Sequence, residues 1–370
     1  MPSDRERTRP NIVRTRGAPG TPPVGRGHRC QQFRKAAAVD KIISTIDDLE
    51  DRVGKASALV HLKSIDHLDA GALHWLASSS LMMASFGGDD GIGVTLGGGK
   101  PGWMSADSRQ LHIPTSTVDD PHMARPGSGF GSFFVIPSTN ELLRLNGWVV
   151  DNDGDTIRVA IEECYLHCGK ALIRSEFWAI VPDTAPPAGA DQLISAARFL
   201  AFGTVDDRGR ADLSPKGDPS GAMVQVSDGT LWFADRPGNK RIDSFRNIVT
   251  QPKVAAVVIV PGSTYFVRLT GLARIFDDPD IRARFMVQGK IPELVTGIND
   301  LKVEFAESEA IARACIWSAT EAPMGIEPAK IAIGHIKLNK SVEAQKAAEI
   351  MSAPGLVEKK MKQDYTDNLY

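Results

Sequence analysis

The sequence predicts a mainly β protein with a few peripheral helices, built as two small β-barrels in tandem. Short apolar runs rich in β-branched residues recur along the chain, separated by turns containing Gly, Pro, Ser and Asp. This alternation is typical of antiparallel barrels. The pattern also occurs twice, because residues 133–150 (FFVIPSTNELLRLNGWVV) align without gaps to residues 257–274 (VVIVPGSTYFVRLTGLAR). We therefore expect each half of the chain to form one barrel.

The repeat preserves residues that shape the local backbone. Pro137, Arg144 and Gly147 each have an identical counterpart 124 positions later. In both halves an apolar run leads into a turn and then into an alternating strand that carries the arginine, which is the pattern of a β-hairpin. The segment rich in Pro and Ala at 181–192 is the natural linker between the halves.

These patterns divide the chain into four segments. We expect a disordered basic leader at 1–40, a first barrel domain at 41–182, a second at 191–335 and a helical tail at 336–370. The tail is expected to be a solvated helix with a frayed end. Further helices are predicted at 42–53, 68–80, 163–177, 239–250 and 279–288.

Composition sets broad limits on function. Of 370 residues, 42% are apolar and 24% charged, as in ordinary globular proteins. No apolar run approaches the ~20 residues that span a bilayer, and no apolar segment follows the N-terminal arginines as in a secretory signal. Four cysteines do not form a disulfide framework. These features favour a cytoplasmic protein without a membrane partner.

The leader has a different charge from the rest of the chain. Residues 1–40 contain eight Arg and one Lys against three acidic residues, a net charge of +6, whereas the whole chain carries −2. A nucleic-acid-binding arm is the alternative to a disordered leader. Aromatic residues are not interleaved with the arginines and the remainder of the chain is acidic, so we expect no nucleic-acid partner.

Residues 162–178 (EECYLHCGKALIRSEFW) raise the question of a metal or an anion site. On a helix, His167, Lys170 and Arg174 stand at i, i+3 and i+7 and form one basic stripe. Such a stripe favours an anion.

Metal binding is the alternative for this stretch. Cys164, His167 and Cys168 offer three possible ligands, but no second Cys/His pair has a spacing that completes a tetrahedral site. We therefore expect no metal.

A second basic cluster lies in the second half. Asn239 is a good helix N-cap, and Lys240 and Arg241 then fall in the first turn, where cations oppose the helix dipole. A bound anion would reverse this penalty, because free N–H groups and both cations would converge on it. The other interpretation is a surface helix start in which Asp243 offsets the charge.

The turn at 212–221 adds Ser214 and Lys216 to the second half, and the first half has no equivalent of its Ser-Pro. The first half in turn keeps the 162–178 stretch. Since each half retains a different set of the basic residues, we expect one complete anion site formed between the two halves.

Three motifs make the chain resemble the FMN-binding split barrels related to pyridoxamine 5'-phosphate oxidase. They are SPKGDPSG (214–221), DRPGNKRIDSFRN (235–247) and HCGKALIRSEFW (167–178). The resemblance extends over about 42–320 and is weaker in residues 81–135.

The resemblance implies two six-stranded split β-barrels that form a pseudo-dimer with FMN in the groove between them. Because the two halves have complementary losses, it favours one FMN per chain. The implied cofactor-binding residues are Ser214, Lys216, Asp235, Asn239, Lys240 and Arg241 of the second half with His167, Lys170, Arg174 and Ser175 of the first.

The function implied is that of an FMN-dependent oxidoreductase acting on a small molecule, with NADH or NADPH as a candidate electron donor. FMN supplies the hydride chemistry, so no catalytic residue is assigned. The alternatives are a non-catalytic protein that binds or stores flavin or haem, and a split barrel that uses a deazaflavin. The chain is expected as a monomeric pseudo-dimer or as a homodimer.

Overall fold

A computed structural model describes residues 42–55, 61–88, 91–180, 186–238, 241–318, 322–353 and 355–370. The basic leader predicted at 1–40 lies outside these residues. The predicted fold class is confirmed, because the described residues form two antiparallel β-sheets with peripheral helices.

The strands are β1 (Ile42–Ile43), β2 (Leu81–Gly88), β3 (Gly91–Gly98), β4 (Ser105–Ala106), β5 (Gln110–Pro114), β6 (Gly129–Val135), β7 (Leu142–Asn152), β8 (Thr156–His167), β9 (Phe199–Val205), β10 (Ala211–Gly217), β11 (Gln225–Ser227), β12 (Thr230–Ala234), β13 (Lys253–Ile259), β14 (Tyr265–Phe276) and β15 (Val295–Glu307). The α-helices are α1 (Ile46–Val53), α2 (Ala70–Ser78), α3 (Lys170–Arg174), α4 (Ala190–Ala196), α5 (Asp243–Thr250), α6 (Pro279–Ala283), α7 (Glu309–Ala314), α8 (Pro328–Leu338), α9 (Val342–Met351) and α10 (Leu356–Asp367). Short 3₁₀ turns occur at Thr115–Thr117 and Pro121–Met123.

The two sheets have the same strand order. The first runs β3-β2-β6-β7-β8-β5-β4, and the second runs β10-β9-β13-β14-β15-β12-β11, with β1 added beside β14. Each half therefore has seven strands of its own, where the resemblance implied six, because the short edge strands β4 and β11 are included. The aligned Gly147 and Gly271 both lie at register shifts in their sheets.

In the described part of the chain, the three largest apolar cores hold the sheets together. One lies within each sheet, and the third lies between the two halves. In β2, Met82 and Ala84 point into the core of the first half, whereas Leu81 and Met83 point into the shared core. Both faces of this strand are thus buried, which explains why its sequence is continuously apolar.

The N-terminal elements pack on the second half, and helix α8 near the C-terminus packs on the first half. The strand Ile42–Ile43 pairs with β14, and Leu49 of α1 lies in the core of the second half. Conversely, Ile331 of α8 lies in the core of the first half. The ends of the described chain thereby join the two halves.

Two glycines allow the halves to approach closely. A Cβ at Gly217, the last residue of β10, would lie 1.9 Å from the carbonyl oxygen of Ala171, and one at Gly98, the last residue of β3, would lie 2.6 Å from that of Ala310. Arg174 donates to the carbonyl of Gly217 at 2.9 Å, and Arg313 donates to that of Gly98 at 3.3 Å. The two contacts are related by the internal repeat.

The prediction of one helix over 163–177 is wrong. Residues up to His167 belong to β8, which pairs with β7 along its length, and the helix spans only Lys170–Arg174. Gly169 separates them, and a Cβ there would lie 1.6 Å from the carbonyl oxygen of Asn140. His167, Lys170 and Arg174 therefore do not form a helical stripe.

The other helices differ from prediction mainly at their ends. The predicted 42–53 begins with a strand, 68–80 shortens to Ala70–Ser78, and 279–288 shortens to Pro279–Ala283. The tail is two helices, Val342–Met351 and Leu356–Asp367, where a frayed end was expected.

Candidate functional site

A cavity of about 500 Å³ lies between the two halves, and we call it the central cavity. This volume falls within the ~300–1,000 Å³ typical of small-molecule sites. Residues of the first half, the second half and the C-terminal end of the chain line it. The lining includes Arg144, His167, Cys168, Lys170, Arg174, Ser214, Lys216, Asp218, Asp235, Arg236, Arg241, Ser244 and Tyr370.

Strand β10 supplies a hydroxyl network and a cation. Alternate residues of a strand share a face, so Ser214 and Lys216 point to the same side. The Ser214 hydroxyl lies 2.6 Å from that of Ser244, and both donate to Asp212, at 3.3 and 3.0 Å. Lys216 Nζ donates to Asp235 Oδ1 at 3.1 Å.

The N-terminus of α5 faces the cavity. The helix begins at Asp243, and its cap residue Ile242 makes no side-chain capping hydrogen bond. Ile242, Asp243 and Ser244 all line the cavity. The first N–H groups of a helix have no intrahelical acceptor and attract anions. This end of the cavity can therefore receive an anionic group.

Arg241 stands immediately before this helix. Its guanidinium donates to Glu163 at 3.0 Å and to Asp243 at 2.6 Å, and it lies 4.4 Å from the ring centroid of Tyr165. Burial favours the neutral form, but Tyr165 and the two carboxylates outweigh it and raise the pKa of Arg241. Arg241 is therefore a fixed cation that links the two halves.

His167 ends β8 at the wall of the cavity. Its Nδ1 lies 2.9 Å from the carbonyl oxygen of Cys168, and a carbonyl only accepts, so Nδ1 carries the proton. Burial, followed by the positive charge of Arg144, lowers the pKa of His167 well below its usual range. His167 is thus neutral, with the lone pair on Nε2.

The short helix α3 supplies two further cations. Lys170 Nζ lies 2.8 Å from Asp364 Oδ2, and the Lys170 side chain is only 3% exposed. Arg174 Nη1 donates to the carbonyls of Pro237 at 3.0 Å and Leu369 at 2.8 Å. Both cations therefore already contact the C-terminal end of the chain.

The structure brings most of the predicted site residues together. The residues that line the central cavity are Ser214, Lys216, Asp235, Arg241, His167, Lys170 and Arg174. Ser175 does not line it, because its hydroxyl is buried and donates to the carbonyl of Leu172 at 3.0 Å. The predicted N-cap Asn239 and its neighbour Lys240 lie outside the described residues. Arg241 was predicted in the first turn of the helix, but α5 begins only at Asp243, so Arg241 precedes it.

Sequence reasoning missed several residues of the cavity. Arg236 donates to Asp218 at 2.8 Å, and the pair is almost completely buried. Burial raises the pKa of Asp218, and the positive charge of Arg236 partly counteracts this rise. Arg144 forms a buried ion pair with Asp212 of the opposite half. The repeat held a signal for Arg144, because an arginine aligned within two apolar strands requires a buried partner.

Two buried atoms of the cavity have no hydrogen-bond partner among the described residues. They are Arg144 Nε and Asp218 Oδ1. Buried polar atoms are normally paired with protein groups, water or a ligand. Arg144 Nε can donate to a ligand and Asp218 Oδ1 can accept from one, so the cavity is suited to a polar ligand.

The arginine related to Arg144 by the repeat is also paired with carboxylates. Arg268, the counterpart of Arg144, pairs with Asp120 and with Glu304. Nearby, Asp119 accepts from Ser308 at 2.6 Å, and burial raises the pKa of Asp119. Carboxylates thus hold Arg268 in ion pairs, as Asp212 holds Arg144.

The fold and the central cavity thus define a protein of two antiparallel β halves, with lysines and arginines of both halves facing a cavity between them. Residues 187–310 match the family described as pyridoxamine 5'-phosphate oxidase. The match confirms, for this part of the chain, the resemblance inferred from the sequence motifs.

Several solved structures are similar to parts of the chain. General Stress Protein 26 from Bacillus anthracis str. Sterne is 17% identical, covers 32% of this chain and 94% of its own, and has a TM-score of 0.25. An F420 reductase is 20% identical, covers 32% of this chain and 98% of its own, and has a TM-score of 0.25. HupZ of Group A Streptococcus is 18% identical, covers 31% of this chain and 90% of its own, and has a TM-score of 0.26. No curated protein matches the chain significantly.

Two further features bear on the class of protein. In the described parts of the chain, no helix is long and apolar enough to cross a membrane. The same residues contain no group of three or more His, Cys, Asp or Glu side chains placed to hold a metal ion. Cys164 is buried in the core of the first half, whereas Cys168 lines the cavity.

Proposed function

We propose that the protein is an FMN-dependent oxidoreductase that holds one FMN per chain in the central cavity and acts on a small molecule. The observation that carries this proposal is the convergence of Ser214, Lys216 and Arg241 of the second half with Lys170 and Arg174 of the first. The family of residues 187–310 supports it.

The phosphate of FMN fits the end of the cavity at the start of α5. The cation of Lys216 and the free N–H groups of the helix would hold a dianion there through charge-assisted hydrogen bonds. The hydroxyls of Ser214 and Ser244 would turn from Asp212 to donate to it. The first half has no equivalent of the turn that carries Ser214 and Lys216, and this supports a single site per chain.

Bound FMN supplies hydride transfer, and the protein supplies orientation and electrostatics. Neutral His167 can accept a hydrogen bond at Nε2 without adding charge to the cavity. Burial of Arg144 and the Arg236–Asp218 pair fixes the polar groups before the ligand arrives. Such preorganised groups lower the cost of stabilising developing charge.

A non-catalytic flavin- or haem-binding protein is the second candidate. The lone pair on His167 Nε2 favours it, because neutral imidazole is a common axial ligand of haem iron.

Aerobic absorption spectra of the purified protein, recorded with and without NADH or NADPH, test the proposal. We expect a flavin spectrum that bleaches with a nicotinamide donor and returns in air. A bound flavin that no donor reduces, or a haem Soret band, would support the second candidate. A band distinct from that of FMN would identify a deazaflavin.

A further inference from the structure

The last residues of the chain lie against the central cavity. We call residues 355–370, which contain α10 (Leu356–Asp367), the C-terminal strap. Tyr370 lines the cavity, and its ring lies 5.4 Å from the guanidinium carbon of Arg236. The Tyr365 hydroxyl accepts from the N–H of Gly169 at 3.1 Å and donates to Glu141 at 3.2 Å. The strap thus reaches the wall that β8 and α3 form.

The strap uses the groups that an anionic ligand needs. Asp364 Oδ2 lies 2.8 Å from Lys170 Nζ, and the carbonyl of Leu369 accepts from Arg174 at 2.8 Å. Lys170 and Arg174 are the cations that the first half contributes to the cavity. A carboxylate and a carbonyl therefore stand beside them as negative or partly negative partners.

The charge of the cavity shows why this position attracts the strap. Among the described residues, seven Lys and Arg side chains line the cavity against five Asp and Glu side chains. Most of the cations on the side of the second half have carboxylate partners within the cavity, as Lys216 has in Asp235 and Arg236 in Asp218. Lys170 instead takes its carboxylate from the strap.

The strap is attached mainly by polar contacts. Within α10 only Val357 is buried, and Asp364 is 46% exposed. A helix with so little buried apolar surface separates from the protein at low cost in free energy. By contrast, α8 is anchored by Ile331 in the core of the first half. The strap can therefore leave while the two halves keep their fold.

We propose that the C-terminal strap is an autoinhibitory segment that competes with the anionic ligand for Lys170 and Arg174. This inference rests on the proposed anion site. A ligand anion that takes the place of the Asp364 carboxylate on Lys170 and of the Leu369 carbonyl on Arg174 would displace the strap. The strap thereby sets the affinity and the rate of FMN association.

The test compares the full-length wild type with Asp364→Asn. The matched control is Asp367→Asn, an exposed acid three residues further along the same helix. The probes are FMN and, separately, inorganic phosphate. Because the Lys170–Asp364 pair is partly exposed, we expect Asp364→Asn to bind both probes about two- to fivefold more tightly, with faster association. The control is expected to match the wild type.

Amide hydrogen exchange of residues 356–370 gives a second readout. Displacement predicts faster exchange of these amides when FMN or phosphate is added. Slower exchange, or weaker binding by Asp364→Asn, would overturn the proposal and identify the strap as a cap that closes over the ligand. Unchanged binding and exchange would also overturn it.

The two probes separate this inference from the proposed function. If FMN does not bind but phosphate does, tighter phosphate binding by Asp364→Asn supports the strap, and the flavin assignment fails. If FMN binds equally to the wild type and to Asp364→Asn, the flavin assignment stands and the strap proposal fails. If neither anion binds to any variant, both fail.

Discussion

Replacing Lys216 by Met should weaken FMN binding with little loss of stability. Met removes the charge but keeps an unbranched side chain of similar length. The Lys216 side chain is 18% exposed and its partner Asp235 is 26% exposed, so the ion pair itself contributes at most about 1 kcal/mol. Its charge-assisted contact with a phosphate is worth about 1.5–3 kcal/mol. The expected dissociation constant is therefore roughly 10- to 100-fold higher.

Titration of FMN fluorescence measures this change, and urea unfolding checks that the variant is folded. Lys302→Met is the matched control, because Lys302 is an exposed lysine on strand β15 that does not line the central cavity. It should bind FMN like the wild type. An unchanged dissociation constant in folded Lys216→Met would refute the placement of the phosphate beside β10.

Three other substitutions are expected to have distinct effects. Arg174→Met, once folded, should bind FMN at least about 10-fold more weakly if the first half contributes to the site, and unchanged affinity would reject a shared site. Arg144→Met leaves buried Asp212 without its partner, so urea unfolding should show a loss of about 3–5 kcal/mol, against less than about 1 kcal/mol for exposed Arg274→Met. Burial lowers the pKa of His167, so the unfolded chain binds a proton near pH 6.5 that the folded chain does not. The free energy of unfolding therefore falls as the pH drops below about 6.5, and His167→Gln should make this dependence shallower by up to one proton; identical slopes would show that His167 is not held neutral.

The internal repeat made the fold predictable. Alignment of 133–150 with 257–274 matches β6 and β7 to β13 and β14, which hold the same places in their sheets. Both faces of these strands contact an apolar core, so their sequences are long apolar runs that can be recognised as buried strands. The tandem arrangement could therefore be recognised without any knowledge of long-range contacts.

Most of the predicted site residues line one cavity, but the secondary structure that carries the first-half residues was predicted wrongly. Lys170 and Arg174 were placed on a long helix with His167, although β8 continues to His167 and α3 begins only after Gly169. A polar strand end followed by a short helix has nearly the same spacing of basic residues as one helix. What selects the strand is its pairing with β7, and pairing between strands is not encoded in local spacing.

The strap could not be predicted from sequence. Gly169 and Tyr365, which are hydrogen-bonded, are separated by 196 positions in the sequence. Arg174 and Leu369, also hydrogen-bonded, are separated by 195. The segment from 341 onward has the polar composition of a solvated helix, because its contacts are made by a few polar side chains and carbonyls. Such contacts leave no apolar periodicity in the sequence.

The stoichiometry of bound cofactor tests the central claim most directly. Heat-released cofactor from the purified full-length protein, identified by mass and quantified against protein concentration, should be FMN at one equivalent per chain. Two equivalents per chain would contradict the proposal of one FMN site in the central cavity, and a colourless protein that takes up no added FMN would contradict the flavin assignment itself.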